Sequence, residues 1–315
     1  MTKPLISILI PIYNGEKYLE KTLQSIKQQT FKSFEVLLIE DFSTDSSKQI
    51  IQTFIDDDKR FILIERTQKG GTAAKGIEYG LPYCKGKFFF YMSQDDFIED
   101  DLLEQMLYKQ QETDADVVIP TCYEYYGEND IKKISAYPTT KTQSLTPEEA
   151  FYLSLDWSIV GNSLRKMKLV KKIGISADYF NSCEYFGRLN YLYANKIVFC
   201  DSKFYYRKNN ECAITKGLSW YMIDILKTDI MLYKVLQTIN IEPKKVEKRF
   251  KEIIKSLKRW NKIIRKKNIL FNNKQNNYIK NMYIECCDDI AKICIKNKKI
   301  MTLVFVYYLR MRISN

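Results

Sequence analysis

Two pairs of adjacent acids close apolar runs in this chain. The stretch "FFFYMSQDD" ends on Asp95 and Asp96, and "FEVLLIED" ends on Glu40 and Asp41. Carboxylates so placed are hard oxygen ligands for magnesium or manganese, acceptors for a ligand N–H, or acids that balance the dipole of a following helix. A third segment, "KGGTAAKG", sets Lys75 at a Gly-rich helix start, where backbone amides and a cation suit phosphate. The chain has no His, which removes the commonest general base and the commonest zinc ligand. Its eight Cys are scattered with no C-x-x-C spacing, as expected of reduced, partly buried thiols in a cytosolic protein.

Such residues act only if a fold brings them together. Apolar, branched runs predict strands over 5–12, 34–40, 61–65, 87–92 and 116–120. Between them lie helical patterns. One covers 16–29, with Tyr18, Leu19, Leu23 and Ile26 on one face. A second is capped by Ser43 or Thr44 and carries Ile50, Ile51, Phe54 and Ile55. A third runs from the Gly-rich turn to about Cys84, and a fourth spans 100–113. Strand–helix alternation with short connections predicts an α/β fold, a mostly parallel sheet with helices on both faces. Ligands in such folds sit beyond the carboxyl ends of the strands. The segments leaving those ends are "PIYNG", "EDFSTD", "RTQKGGTAAK" and "SQDD", where the acids and turn residues gather.

Residues 121–215 are less regular. They read as a hairpin over 123–137, a helix starting at Thr146 and Pro147, a helix over 180–194 and a strand pair over 196–207. From Trp220 onward the chain reads helical, with Pro243 as the breaker. The composition, 45% hydrophobic and 28% charged, supports a buried core. No convincing signal peptide and no run of about 18 apolar residues is present. The net charge of +12 is concentrated in 244–267, which holds twelve Lys or Arg against two Glu.

The order "SILIPIYNGEKYLEKTLQSIKQQTF…FEVLLIEDFSTD" closely resembles the family 2 glycosyltransferases of the GT-A fold. It matches at Pro11, Tyr13, Asn14, Gln29, Thr30, Asp41, Ser43 and Asp45, with Glu40 where Asp is usual and Phe42 where Gly or Asn is usual. The resemblance implies that Asp41 holds the uracil of a UDP-sugar, with Pro11 and Tyr13 bordering the base and Asn14 in the same loop. Lys75 stands where Arg is usual and meets the diphosphate region, without Arg's bidentate fork. In "SQDD" the family's first Asp is replaced by Ser93. Ser93 and Gln94 are expected to serve the ribose, and Asp95 to hold Mn²⁺ or Mg²⁺ against the diphosphate. One carboxylate suffices when phosphates and water supply the other ligands.

The same resemblance calls for a carboxylate that takes a proton from the acceptor hydroxyl. Glu184 is the preferred base, with Asp178 and Asp96 as alternatives. Trp157 and Asn162 fall where the acceptor side should be, and Arg207, in "FYYRKNNECAIT", lies near the donor phosphates or orders its loop. Cys212 replaces the Ser usual there.

The resemblance covers about residues 4–215, divided into a nucleotide-sugar half (1–120) and an acceptor half (121–215). A basic helical region, 216–315, lies outside it. There Val246, Phe250, Ile253, Ile254, Leu257, Ile263 and Ile264 recur at helical spacing opposite Lys and Arg. That pattern suits peripheral contact with an anionic membrane through 244–267 and 300–312, or helices that pack on the catalytic domain or pair in a homodimer. No nucleic-acid motif accompanies the charge.

The expected activity is metal-dependent, inverting transfer from a UDP-sugar, of hexose or N-acetylhexosamine type, to a hydroxyl of a bacterial surface glycan, soluble or lipid-linked. The expected location is the cytoplasm, at the inner face of the membrane. A sugar-nucleotide-binding scaffold without activity is the alternative. A nucleotidyltransferase would need a Gly-rich basic loop after the first strand, and "PIYNGEKYL" is not one.

Overall fold

The computed structural model describes residues 3–134, 144–211, 213, 217–265 and 271–314. Part of the expected hairpin (135–137), Cys212, and Lys266 and Lys267 lie outside them. The chain forms two compact units, one of residues 1–178 with 182–211 and the other of 179–181 with 212–315.

The first unit begins with the alternation that the sequence pattern predicts. It runs β1 (Ile6–Ile12), α1 (Glu16–Lys27), β2 (Phe34–Glu40), α2 (Ser47–Asp57), β3 (Phe61–Glu65), α3 (Ala73–Gly80), β4 (Phe88–Tyr91), β5 (Phe97–Ile98) and α4 (Leu102–Thr113). There follow β6 (Val117–Gly127), β7 (Asp130–Lys133), α5 (Pro147–Leu155), β8 (Leu164–Lys166), α6 (Met167–Ile173), α7 (Ser182–Leu192) and β9 (Ile197–Arg207). The strand order is β3-β2-β1-β4-β8-β6-β9-β5, with β7 paired to β6.

The strands β3, β2, β1 and β4 pair in parallel. Every residue of β2 is buried, as a strand covered on both faces requires. Along β1 and β2 the side chains part alternately. Ile8, Ile10, Val36 and Leu38 enter one core cluster, and Leu9, Leu37 and Ile39 enter another with Ile77 and Leu81. Beyond β4 the sheet is mixed, since β8 runs antiparallel to β4 and β6, β6 and β9 are parallel, and β5 is antiparallel to β9. Gly76 lets α3 sit against the end of β1, because a Cβ there would stand 2.7 Å from the Pro11 Cβ.

Three expectations are corrected. The stretch 196–207 is one eleven-residue strand, β9, and not a strand pair. It lies along β6, with a register irregularity between Ile119 and Thr121, and neighbours on both edges hold it extended. The fifth strand and the first arm of the hairpin are likewise one element, β6. Finally, α2 starts at Ser47, and neither Ser43 nor Thr44 caps it.

The reason is that α1 and α2 cap each other. Neither N-cap residue, Gly15 nor Ser46, makes a side-chain capping bond in its own helix. Instead the Glu16 N–H donates to Asp45 Oδ2 at 3.0 Å and the Gly15 N–H to Ser47 Oγ at 2.8 Å, while the Ser46 N–H donates to Glu16 Oε2 at 2.9 Å. The Gly15, Glu16 and Ser46 amides are thereby satisfied from across the gap, and the Ser47 N–H donates to Asp45 Oδ1 at 3.0 Å. Burial pushes the Asp45 carboxyl up, but the Ser47 hydroxyl and the Glu16 and Ser47 amides outweigh it and hold it below its ordinary value.

The second unit contains α8 (Ile223–Leu236), α9 (Pro243–Arg265), α10 (Asn273–Lys296) and α11 (Ile300–Ser314). Pro243 opens α9 at its first position, where its missing N–H has no helical partner to lose. Phe250, Ile253, Leu257 and Ile264 are buried, as the periodicity predicts, together with Trp260. The buried Asn261 amide donates to the Tyr283 hydroxyl and to the Leu309 carbonyl, both at 3.1 Å, and so ties α9 to α10 and α11.

Candidate active site

The carboxyl ends of β1, β2 and β4 set the acids at one edge of the sheet. Asp41 follows β2, and its N–H donates to the Ile12 carbonyl at 2.9 Å. It is buried. Its two carboxylate oxygens each accept a backbone N–H at 2.6 Å, from Gly70 and Gly71, and Arg66 Nε stands 3.1 Å away. Asp41 thus holds the Gly-rich loop, and Arg66, which the sequence reading did not single out, neutralises it. The signal available in sequence was only that Arg66 directly follows the third strand.

Tyr13 is exposed beside this corner, and Lys69 Nζ donates to its hydroxyl at 3.0 Å. The Asn14 Oδ1 accepts the Thr44 N–H at 2.8 Å, and the Asn14 main-chain N–H donates to Ser43 Oγ at 3.1 Å. Gln94 is engaged likewise. Its Oε1 accepts the Tyr13 N–H at 2.8 Å and its Nε2 donates to the Tyr13 carbonyl at 2.9 Å. An amide that bonds both the N–H and the carbonyl of one neighbouring residue positions that loop. Pro11 packs under Gly76, and the Lys75 side chain is exposed in the first turn of α3.

The acidic motif is built differently. Asp95 is half-buried, and its Oδ2 accepts from Asn210 Nδ2 at 2.7 Å. Asp96 is buried. One oxygen accepts the Arg207 N–H at 2.9 Å, and the other is enclosed with no hydrogen-bond partner among the described residues. Burial first, and the adjacent Asp95 second, push the Asp96 carboxyl well above the ordinary carboxylate range. An enclosed, unpartnered oxygen beside a second carboxylate fits a hard cation, and no cluster of three metal-ligating side chains occurs among the described residues. The residues therefore fit a metal whose remaining ligands come from the donor diphosphate and water. Arg207 orders this loop: its Nε donates to the Asp95 carbonyl at 2.6 Å, and its guanidinium lies 4.4 Å from the Tyr18 ring centre. The Ser93 hydroxyl is half-buried, 3.4 Å from that of Tyr91.

Trp157, Asn162 and Glu184 meet in a cleft that is also lined by Tyr91, Cys183 and Arg188. Glu184, in the first turn of α7, is ion-paired with Arg188 one turn on. Arg188 Nε also donates to the Ser154 carbonyl at 3.1 Å, and its guanidinium lies 4.9 Å from the Trp157 ring centre. Asn162 Nδ2 donates to the Tyr91 carbonyl at 3.1 Å, which fixes the end of β4. Burial pushes the Cys183 thiol up to about 12. Asp178 is exposed, bonded to the Ser176 hydroxyl at 2.5 Å, and does not line the cleft.

Tyr206, on β9, is half-buried. Burial raises its hydroxyl pKa, and so do the charges of Asp96, Asp95 and Glu184. Among the described residues, three of the five non-glycine residues with positive φ also lie at these loops: Asn14 (48°), Phe42 (64°) and Trp157 (63°). Asn tolerates that region, whereas Phe and Trp are strained there.

The family model for glycosyl transferase family 2 matches residues 7–208. The chain is 31% identical over 232 residues to the glycosyltransferase GlyG of Streptococcus pneumoniae serotype 4, covering 69% of this chain and 75% of GlyG. It is similar in fold to Staphylococcus aureus TarS 1–349, solved with UDP-GlcNAc. The TM-score is 0.65 at 17% identity, covering 98% of this chain and 88% of that one. A more distant likeness is to the mannosyltransferase PcManGT of Pyrobaculum calidifontis, solved with GDP-Man and Mn²⁺. The TM-score there is 0.53 at 13% identity, over 100% of this chain and 87% of that one.

Proposed function

Since the chain belongs to glycosyl transferase family 2 and is an enzyme that transfers sugar from a nucleotide sugar, we propose that it is an inverting, divalent-metal-dependent transferase. Its donor is a UDP-linked hexose or N-acetylhexosamine, and its acceptor is a hydroxyl of a bacterial surface glycan, free or lipid-linked. The observation that carries the reading is the enclosed, unpartnered Asp96 oxygen beside Asp95 at the end of β4, with the Asp41 corner at the same end of the sheet, one strand over from β1.

In this reading the donor base lies on Tyr13, and its N–H replaces a Gly70 or Gly71 amide on Asp41. Asp95, with the enclosed oxygen of Asp96, holds Mn²⁺ or Mg²⁺. That ion supplies charge neutralisation for the departing diphosphate. Lys75 adds a cation at the start of α3. Glu184 accepts the proton of the acceptor hydroxyl as that oxygen attacks the anomeric carbon from the face opposite the diphosphate, which inverts the centre. Arg188 keeps the Glu184 carboxylate in the cleft, while Trp157 and Asn162 receive the acceptor sugar. Ser93 serves the ribose. Gln94 contributes by holding Tyr13.

UDP release from a panel of UDP-sugars, with manganese and with a bacterial glycan extract as acceptor, tests the proposal. Acceptor-stimulated release with one UDP-sugar is expected. UDP-sugar binding with no release under any condition would instead identify a non-catalytic binding protein.

A further inference from the structure

The second unit carries a surface that sugar transfer does not use. On α9, Lys244, Lys248, Lys251, Lys255, Lys258, Lys262 and Arg265 recur at alternating spacings of four and three, and all seven are exposed. They form one straight seam along the helix. No ion pair among the described residues engages them, whereas Glu247 and Glu252 on the same helix are paired with Lys299 and Arg249.

The helix α11 runs alongside. Val306, Leu309 and Ile313 face the core, but Met301, Val304, Tyr308 and Met311 form a second seam at spacings of three and four, with Met301 83% and Val304 60% exposed. The seams adjoin. Lys258 Nζ lies 4.7 Å from the ring centre of Phe305, which neighbours Met301, Val304 and Tyr308 on α11. The Glu247–Lys299 and Asn261–Leu309 contacts keep the two helices side by side. No helix among the described residues is long and apolar enough to cross a membrane.

We infer that this face docks the enzyme on an anionic lipid bilayer, with the α9 seam against headgroup phosphates and the α11 seam in the acyl boundary. A row of unpaired cations beside a row of exposed apolar side chains has the charge and layering of such an interface. A second copy of the chain would bring the same seven cations against this face. The inference is independent of the donor and acceptor assignments, and goes beyond them.

The test is co-sedimentation of the full chain with vesicles of phosphatidylcholine alone or with about a third phosphatidylglycerol. Binding is expected only to the anionic vesicles and should weaken as salt is added. Each basic side chain at such a surface strengthens binding roughly five-fold, so K251Q/K255Q/K258Q should bind about a hundred-fold more weakly. M301S/M311S should bind more weakly while keeping the salt dependence. Circular dichroism and thermal melting check that the variants fold, and single Lys251→Gln and Lys255→Gln changes replace the triple variant if it does not. Equal binding to both vesicles, absence of binding to the anionic ones, or a dimer that M301S/M311S dissociates in the absence of vesicle binding would each overturn the inference.

Discussion

The corner around Asp41 and the cleft around Glu184 lie on the same sheet unit and differ in what holds their acids. Around Asp41, polar side chains bond neighbouring main chain: Gln94 on Tyr13, Asn14 on Thr44, Asp41 on Gly70 and Gly71. In the cleft Arg188 and Asn162 also bond main chain, at Ser154 and Tyr91, but Glu184 makes a side-chain ion pair and depends on Arg188 alone for it among the described residues. The difference teaches that much of the motif around Asp41 is framework: its residues must hold their spacing because they bond loops to loops.

The sharpest way to break this comparison is at Asp95. Asp95→Asn should lower kcat/KM about a thousand-fold, the scale of the charge stabilisation a metal supplies, and should abolish stimulation by manganese. Unchanged turnover would remove the acidic motif from the chemistry. Next, Glu184→Gln should lower kcat by roughly a hundred-fold or more and leave UDP binding, measured by calorimetry, within about two-fold. A loss of UDP affinity equal to the loss of rate would mean that the cleft and the corner are one site.

Gln94→Ala should act the other way. It frees the Tyr13 backbone and raises the donor KM by about ten-fold, with kcat nearly constant. A smaller effect is expected at Asp45→Asn, which weakens the shared caps and lowers stability by about 1 kcal/mol in urea denaturation at pH 7. Because the folded Asp45 carboxyl lies below its ordinary value of 3.8, that stability difference is full above 3.8 and shrinks as the pH falls through and below it. The smallest is Phe42→Gly. The ring is exposed and its backbone is left-handed, so relief of strain should raise stability by up to about 1 kcal/mol.

The parallel half of the fold was legible because buried strands and amphipathic helices carry different periods, and Tyr13, Asn14, Asp41 and Asp95 fell on consecutive strand ends. Phe42 shows the same logic. The left-handed φ of 64° at that position is a conformation that suits the Gly or Asn expected in the motif. What sequence did not show is what each polar atom is already bonded to. The main-chain bonds of Gln94 and Asn14 were not legible, because a side-chain amide serves a ribose or a backbone equally well. Arg66 and Asn210 were invisible because nothing in their local pattern separates them from surface residues. The single span of β9 was hidden by polar residues, Asp201 and Ser202, inside an otherwise apolar run.

The crossed caps of α1 and α2 bear on how the unit opens. With no side-chain capping bond from its own N-cap residue, neither helix keeps a full set of bonded first-turn amides once the other detaches. Fraying at Gly15–Glu16 and at Ser46 is therefore one event, while the Ser47 amide stays with Asp45 on its own side of the gap. The Gly15, Glu16 and Ser46 amides should exchange with solvent deuterium at a common rate, and a fragment that stops before Asp45 should lose the protection of the Gly15 and Glu16 amides.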